Sequence, residues 1–333
     1  MDPGLNSLKS ALPSRWPAKV EELRALIRSG KSISLSSFLD ETGLDLLDVY
    51  DGQSGHNWSA LCEEAGATTL ARGDKEERLR AAVGRMIHID DAERLASYRE
   101  FLESDVPPSY ALLTARRQRM LRMLLASLLG RILPSGTSVE EGVHVLWTHP
   151  QIRSELCGLL EVLDRRQSHV NQVLKDSPNV PLLVHARYTR LEILAAMGEG
   201  EQALVGVPEW REGVRQAKTE GAELLVITLD KSVSSFSPTT RYKDYAISPT
   251  LIHWESQSTT AAESSTGLRY RNHEREGRSV LLFSRLQTKD RAFWFLGPAK
   301  YRGHVGEKPM SITWELEHPL AGDLFVEFAA AVA

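Results

Sequence analysis

The sequence lacks the features of several protein classes. It has only two cysteines in 333 residues, and neither lies in a CxxC pattern or a Cys/His cluster. We therefore expect two reduced thiols in helices, with no disulfide framework and no metal site. No apolar run approaches the roughly 18 to 20 residues that span a bilayer. The first residues also lack the pattern of a signal peptide, so we expect a cytoplasmic protein with no membrane partner.

Motifs for nucleotide binding and catalysis are missing too. The chain contains no GxxxxGK[ST], no GxGxxG after a strand, and no GxSxG or HExxH. His144 and His149 are five residues apart, which is a poor spacing for one helical face, so they predict no metal pair. The sequence therefore predicts no catalytic residue and no cofactor for this chain alone.

The composition is that of an ordinary globular protein, with an uneven charge. Hydrophobic residues make up 42% and charged residues 25%, and the length suits two domains. The net charge is −4, but 231–310 hold 13 Lys and Arg against 7 Asp and Glu. A local basic face can bind phosphate although the whole chain is acidic. A solvated mixed surface is the alternative interpretation of this bias.

The apolar spacing changes near residue 200. Before it, helical spacing and capping residues such as Asn57 and Ser138 predict a series of helices. These helices fall near 20–27, 36–39, 44–50, 57–66, 74–87, 91–102, 116–129 and 184–197, and a capping box at 138–141 marks the start of one more. The arginines at the start of the 116–129 helix either reach DNA phosphates or cover an apolar core with their stems.

After residue 200 we expect mainly strands. Residues 209–219 can still be helical, and strand-like runs follow at 222–229, 246–254, 268–273, 279–286, 292–296, 310–316 and 324–328. Several short strands with turn signals between them are typical of a barrel or sandwich. The fold class predicted is α+β: a helical domain over 1–200, serving as linker or docking domain, then a mainly β, barrel-like domain over 201–333.

Residues 229–259 are dense in groups that contact nucleic acid. Basic side chains meet phosphates, hydroxyls donate to phosphate oxygens, aromatic rings stack on bases, and polar groups sense base edges. The candidates for phosphate contact are Lys231, Arg241 and Lys243, and the hydroxyl donors are Ser237 and Thr240. The candidate stacking rings are Tyr242, Tyr245 and Trp254. The candidates for contact with base edges are His253, Asp244, Glu255 and Gln257. Later candidates are Arg269, Arg271, Lys300, Tyr301 and Arg302. Each phosphate contact should add roughly 0.9 to the magnitude of the negative slope of log affinity against log salt.

A nuclease is the alternative for part of this set. Asp244 and Glu255-Ser256-Gln257 are similar to the Asp…Glu-x-Lys cores of restriction endonucleases, with Gln in the lysine position. Two carboxylates can hold Mg²⁺ only if they lie close together. If 246–254 is one extended strand, the α-carbons of Asp244 and Glu255 lie roughly 36 Å apart. The two residues meet only if the Ser248-Pro249 region bends, and this requirement favours a reader over a nuclease.

Five separated blocks carry a family resemblance. They are TLDKS, FSPTTRYKDYAISPTLIHWESQS, LLFSR, FWFLGPAKY and PMSITWELEHPL, all after residue 200. In this order they resemble a C-terminal domain of unknown function of bacterial superfamily-2 helicase-like proteins. Some of those are type IV restriction enzymes, in which the domain is the proposed reader of methylated cytosine. The nuclease and helicase motor of those enzymes are absent from this sequence.

Three functions follow as hypotheses. The first is a DNA-binding module that recognises a modified cytosine by base flipping or groove probing, with double-stranded DNA and the helicase and nuclease domains of a parent protein or partner chain as its partners. The second is the Mg²⁺-dependent nuclease. The third is a protein-interaction module that docks on a helicase motor through its helical half.

Overall fold

The computed structural model describes 15–52, 55–167, 170–200, 210, 212–230 and 244–330. Helices dominate the first part of these residues. The α-helices are α1 (Trp16–Arg28), α2 (Leu35–Thr42), α3 (Leu46–Val49), α4 (Trp58–Glu64), α5 (Asp74–Val83), α6 (Ala92–Glu103), α7 (Ala115–Leu129), α8 (Val139–Trp147), α9 (Pro150–Arg165) and α10 (Arg190–Ala196). Short 3₁₀ helices cover Gly84–Met86 and Tyr110–Leu112.

Capping residues fix several helix starts, as the sequence predicted. The Asn57 side chain accepts a hydrogen bond from the Ala60 amide (2.9 Å), so α4 begins at Trp58. Ser138 and Glu141 form a capping box at the start of α8: Glu141 accepts from the Ser138 amide, and Ser138 accepts from the Glu141 amide. Both caps satisfy amides that have no partner within their own helix.

Strands dominate the rest. They are β1 (Gln172–Val173), β2 (Leu183–Val184), β3 (Arg187–Thr189), β4 (Val214–Ala217), β5 (Ala222–Asp230), β6 (Tyr245–Ser248), β7 (Leu251–Glu255), β8 (Ser279–Gln287), β9 (Ala292–Val305) and β10 (Ser311–Leu316). Two helices accompany them, α11 (Ser265–Asn272) and α12 (Gly322–Ala330). The mixed α+β fold is therefore confirmed.

The main sheet is open, so the predicted barrel is wrong. Its strands follow the order β4-β5-β8-β9-β10-β7-β6, and β3 pairs with β9 beside this path. The end strands β4 and β6 are both four residues long and do not pair with each other. Within the main sheet, β5 and β8 are parallel and the remaining pairs are antiparallel. β1 and β2 form a separate two-stranded sheet.

Apolar cores on both faces of the central strands explain why the sheet stays open. In β5, Leu224 and Val226 belong to a first core that also contains residues of α1 to α10. The alternate residues Leu225 and Ile227 belong to a second core with residues of β7, β10, α11 and α12. Strands buried on both faces are continuous apolar runs, as this one is. Closing the sheet into a barrel would leave no room for one of these cores.

Three segments differ from the predicted elements. Residues 268–273 lie mostly in α11, which begins where the Ser264 hydroxyl accepts from the Gly267 amide. Residues 324–328 lie in α12, where the apolar pair Leu324 and Phe328, four apart, faces the second core. Of 184–197, only Arg190–Ala196 is α-helical, and 214–217 form β4 rather than a helix.

A buried ionic network joins the helical region to the sheet. Arg94 on α6 is fully buried and contacts Asp91 (2.8 Å) and Glu192 (3.0 Å). It also donates to the backbone oxygen of Arg187 in β3 (2.7 Å), and His88 lies 2.7 Å from Glu192. Burial alone would raise the pKa of Glu192, but His88 and Arg94 outweigh it and lower that pKa to about 2.

Both cysteines lie in helices and form no disulfide. Cys62 on α4 and Cys157 on α9 are free and half-buried. Burial, followed by the nearby Glu155, raises the pKa of Cys62 to about 12, so its thiol stays protonated.

Within the described ranges, every helix is too short or too polar to cross a bilayer.

Candidate nucleic-acid interface

The hairpin β6–β7 forms one edge of the main sheet and carries an exposed aromatic pair. Tyr245 on β6 pairs in register with His253 on β7, and their rings stack at 4.6 Å with planes 12° apart. Tyr245 is 38% exposed, and Ile247 on the same strand is 46% exposed. The stacked pair therefore offers a flat surface to solvent on the outer face of the hairpin.

Polar side chains of β10 and β9 continue this outer face. Thr313 on β10 lies in register with His253, and Glu315 lies in register with both Leu251 and Lys300. The guanidinium of Arg302 contacts the carboxylate of Glu315. Thr313 and Glu315 were not predicted as site residues. The sequence pattern could have indicated them, because polar and apolar residues alternate along Ser311-Ile312-Thr313-Trp314-Glu315-Leu316. Alternate residues of a strand face opposite sides, so Thr313 and Glu315 share the polar face.

Asp244 and Glu255 lie side by side, unlike the sequence expectation. Residues 246–254 form two strands rather than one, and Pro249 and Thr250 lie in the turn between them. The Ser248 hydroxyl accepts from the Thr250 and Leu251 amides at 3.3 and 3.1 Å, which stabilises this turn. The Asp244 carboxylate accepts a hydrogen bond from the Glu255 amide at 2.9 Å. The chain bends at Pro249 and Thr250, which is the condition under which the two residues meet, so the separation of roughly 36 Å for one extended strand does not apply.

The contact between the Asp244 carboxylate and the Glu255 amide shows a structural role for Asp244. Its side chain is 5% exposed and holds the end of the hairpin through the backbone of Glu255. Gln257, just beyond, donates to Glu212 at 3.2 Å. Among the described residues, no group of three or more His, Cys, Asp or Glu is placed to hold a metal ion.

Trp254 and Tyr301 pack toward the second core. Trp254 is 4% exposed, and its ring meets Tyr270 edge-on at 5.5 Å and Trp314 at 6.4 Å. Tyr301 packs edge-on against Trp314 at 6.1 Å, and its hydroxyl lies 2.5 Å from His304. Burial raises the pKa of the Tyr301 hydroxyl. Of the described aromatic candidates, Tyr245 is the one with an exposed ring.

The later basic candidates lie beside carboxylates. Arg269 on α11 contacts Glu223 at 2.8 Å, and that carboxylate is fully buried. Arg271 contacts Glu263 at 2.5 Å, and hydrogen bonding to Glu263 raises the pKa of Arg271. Lys300 lies within 4 Å of Glu274 and Glu317. Lys300 and Arg302 remain about half exposed, whereas the two arginines of α11 are more enclosed.

The remaining candidates fall outside the described residues. They are Lys231, Ser237, Thr240, Arg241, Tyr242 and Lys243. The described chain resumes at Asp244, directly before Tyr245. In sequence, the basic pair Arg241 and Lys243 therefore adjoins the exposed aromatic pair.

Residues 182–328 match the family model of a domain of unknown function, DUF3427. The matched range begins at β2 and ends inside α12, so it includes the whole main sheet and the hairpin. The match assigns no activity. No curated protein matches the chain.

Proposed function

We propose that this chain is a non-catalytic DNA-binding module that recognises a modified cytosine. The observation that carries the proposal is the exposed ring of Tyr245, which stacks on the half-buried His253 on the edge hairpin. A ring with a free face can stack on an unpaired or flipped base, and such stacking is worth roughly 1 to 3 kcal/mol per base.

The charge distribution supports the same function. The net charge of 231–310 is +6, although that of the whole chain is −4. Arg241 and Lys243 precede Tyr245 directly in sequence, and Lys300 and Arg302 lie on β9. Contacts of these groups with phosphates would hold the duplex while the aromatic pair probes one base.

The resemblance to the reader region of type IV restriction enzymes suggests which modified base the chain would bind. It makes methylated cytosine the modification to test first. It also makes the helicase and nuclease domains of a parent protein, or of a partner chain, the expected partners. In such a system this chain would select the target, and the other domains would hydrolyse ATP and cut DNA.

Binding to matched duplexes tests the proposal. The full chain is titrated into duplexes of one sequence that carry unmodified, 5-methyl or 5-hydroxymethyl cytosine, at several salt concentrations. We expect at least tenfold tighter binding to one modified duplex, together with a steep fall of affinity with salt. Equal affinity for the three duplexes would overturn recognition of the modification. No binding to any duplex, at low or high salt, would favour the protein-interaction module.

The nuclease alternative has support in the proximity of Asp244 and Glu255. It requires both carboxylates to share one Mg²⁺ with oxygens about 2.0 to 2.1 Å from the ion. The hydrogen bond from the Glu255 amide to Asp244 favours a structural role instead. Incubating the same duplexes with the chain and Mg²⁺ separates the two: intact DNA agrees with the reader, and cutting that is lost in Asp244→Ala and Glu255→Ala would establish the nuclease.

A further inference from the structure

Five arginines line one cavity where the helical region meets the sheet. They are Arg85, Arg131, Arg190, Arg285 and Arg291. They come from the first 3₁₀ helix, the end of α7, the start of α10, β8 and the residue before β9. The cavity has a volume of about 220 Å³, and no Asp or Glu is among its lining residues. Its formal charge is therefore +5 before any ligand binds.

Most of this charge has no neutralising partner. Arg85, Arg131, Arg285 and Arg291 form no ion pair with a carboxylate of the described residues. The arginines of α7 on the neighbouring surface behave differently. Arg116, Arg117 and Arg119 pair with Glu93, Glu100 and Glu220 at 2.5 to 2.7 Å.

The charges of Asp290 and Glu192 partly oppose the lowering of the pKa of Arg285 and Arg291, but neither carboxylate forms an ion pair with these arginines. The Asp290 carboxylate accepts from the Gln287 amide at 2.9 Å. Glu192 belongs to the network with Arg94 and His88. Neither carboxylate lines the cavity.

The cavity arginines also influence one another. Burial, followed by repulsion from Arg291 and Arg131, lowers the pKa of Arg85. Burial, followed by repulsion from Arg190, lowers the pKa of Arg285 to about 10. Arg190 and Arg285 form one group, because both guanidinium groups lie over the ring of Phe293. Arg85, Arg131 and Arg291 are the other lining arginines and form the second group. An anion between them would relieve the repulsion within both groups.

A buried hydroxyl provides an independent sign of a ligand. Ser127 on α7 lines the same cavity and is 7% exposed. Its Oγ atom has no hydrogen-bond partner among the described residues. Buried polar groups in proteins almost always have a partner, so an unpaired hydroxyl beside uncompensated positive charge is suited to a bound acceptor.

Two of the arginines are held in place by aromatic rings. The guanidinium of Arg285 lies 4.7 Å from the centre of the Phe293 ring, and that of Arg190 lies 5.5 Å from the same centre. Arg190 also lies 5.5 Å from the centre of the Trp210 ring. Such contacts fix the planar guanidinium groups before a ligand arrives, which reduces the entropy lost on binding.

We propose that this cavity binds an oligophosphate anion with at least two linked phosphoryl groups, one at each arginine group, with the Ser127 hydroxyl donating to a phosphoryl oxygen. A terminal phosphoryl group carries roughly −1.5 to −2 charges, so a diphosphate would compensate most of the charge of Arg85, Arg131, Arg285 and Arg291. Arginine binds phosphoryl oxygens in pairs through its planar fork of donors. Inorganic diphosphate and nucleoside triphosphates share this chemistry, and both are small enough to enter in part or whole. The site is separate from the proposed base-reading hairpin.

Calorimetric titration of the full chain tests the ligand. The probes are inorganic diphosphate, a nucleoside triphosphate, orthophosphate and sulfate, all at one ionic strength and without divalent cations. We expect diphosphate to bind at least tenfold more tightly than orthophosphate or sulfate. Tighter binding of the triphosphate than of diphosphate would identify a nucleotide as the source of the phosphoryl groups, and the reverse order would identify the free anion. Equal binding of diphosphate and sulfate would overturn the proposal.

Two variants locate the site. Arg131→Gln/Arg291→Gln removes two exposed arginines of the cavity, and Arg275→Gln/Arg278→Gln removes two exposed arginines elsewhere with the same loss of charge. We expect the first pair of substitutions to weaken diphosphate binding at least tenfold and the second to leave it unchanged. Ser127→Ala should weaken it about 3-fold to 10-fold without lowering the melting temperature of the free protein. Equal affinity in the cavity variant, its control and Ser127→Ala would overturn the assignment.

Discussion

Tyr245 and Trp254 lie on opposite faces of the same hairpin. The Tyr245 ring stacks on His253, which immediately precedes Trp254 in β7. Because alternate residues of a strand point to opposite sides, the Trp254 ring lies in the second core while the Tyr245 ring meets solvent. The two rings therefore have different environments, and substituting each one separately distinguishes an effect on folding from an effect at the surface.

Tyr245→Ala should weaken binding to modified DNA by roughly 1 to 3 kcal/mol and change binding to unmodified DNA little, because only a modified base would occupy the stack. Ile247→Ala is the matched control, since Ile247 is exposed on the same strand but offers no ring. Binding isotherms on the duplexes described above measure both. Equal losses on modified and unmodified DNA would show that the ring only supports the hairpin.

Glu192 makes stability depend on pH in the acid range. Its pKa of about 2 in the folded protein is below the ordinary value of about 4.3. Its stabilising contribution, up to about 3 kcal/mol, is therefore fully present above about pH 4.3 and is lost as the pH falls toward 2. Asp91 acts in the opposite direction, because burial raises its pKa.

Comparison of urea midpoints at pH 7, 4.5 and 3 isolates Glu192 from Asp91. We expect Glu192→Gln to cost about 3 to 5 kcal/mol at pH 7, since it removes one partner of a buried pair with Arg94. The difference from the wild type should shrink toward pH 3. Glu103→Gln is the control: it removes an exposed ion pair with Arg99 on α6 and should change the urea midpoint little. A difference that stays constant from pH 7 to pH 3 would contradict an ionised Glu192.

Single residues were predictable where their role is local. Asn57 and Ser138 cap helices through atoms within three residues, so their sequence context contains the interaction. The cavity arginines had no such context, because Arg85 and Arg291 are more than 200 residues apart in the chain. The pairing of β3 with β9 and the packing of α7 in the first core bring their elements together.

At the scale of elements, the hairpin β6–β7 depends on its closing hydrogen bond. Asp244→Ala removes the acceptor of the Glu255 amide and should destabilise the protein by about 1 to 3 kcal/mol. Glu263→Ala, at an exposed carboxylate that pairs with Arg271, should cost much less. Urea midpoints measure both variants. An unchanged midpoint for Asp244→Ala would show that this hydrogen bond contributes nothing to folding.

Two short segments that were predicted as strands are helices. Leu324-Phe325-Val326-Glu327-Phe328 has strand-forming residues, yet the second core accepts Leu324 and Phe328 at helical spacing. The pattern of 268–273 also fits either a strand or a helix, and the Ser264 side chain caps the helix that forms there. Long runs such as 222–229 were predicted well, because burial on both faces leaves an unbroken apolar sequence.

At the scale of the molecule, the helical region and the sheet share the first core. Trp16 of α1 and Phe295 of β9 belong to one apolar cluster, and β3 lies before residue 200 but pairs with β9. The division at residue 200 remains a prediction from periodicity. These contacts indicate that a fragment of the β region gains stability if it begins before β3.

We expect 182–333 to melt at a higher temperature than 201–333, because the shorter fragment loses the β3 strand and α10. Both should melt cooperatively, and both should lie below the full chain, whose first core is complete. Circular dichroism and thermal melts of the three proteins measure this. A disordered 201–333 would contradict the division at 200, and equal melting temperatures would show that β3 adds nothing.

The place of β10 in the sheet sets an order of assembly. β10 comes after the other strands in the chain, yet it lies between β9 and β7, so the hairpin with Tyr245 and His253 joins the sheet through β10 alone. During synthesis the hairpin is made some 60 residues before the strand that attaches it. Pairings of such large sequence separation form slowly. The surface proposed to read DNA is therefore completed late, after the central strands have found their partners.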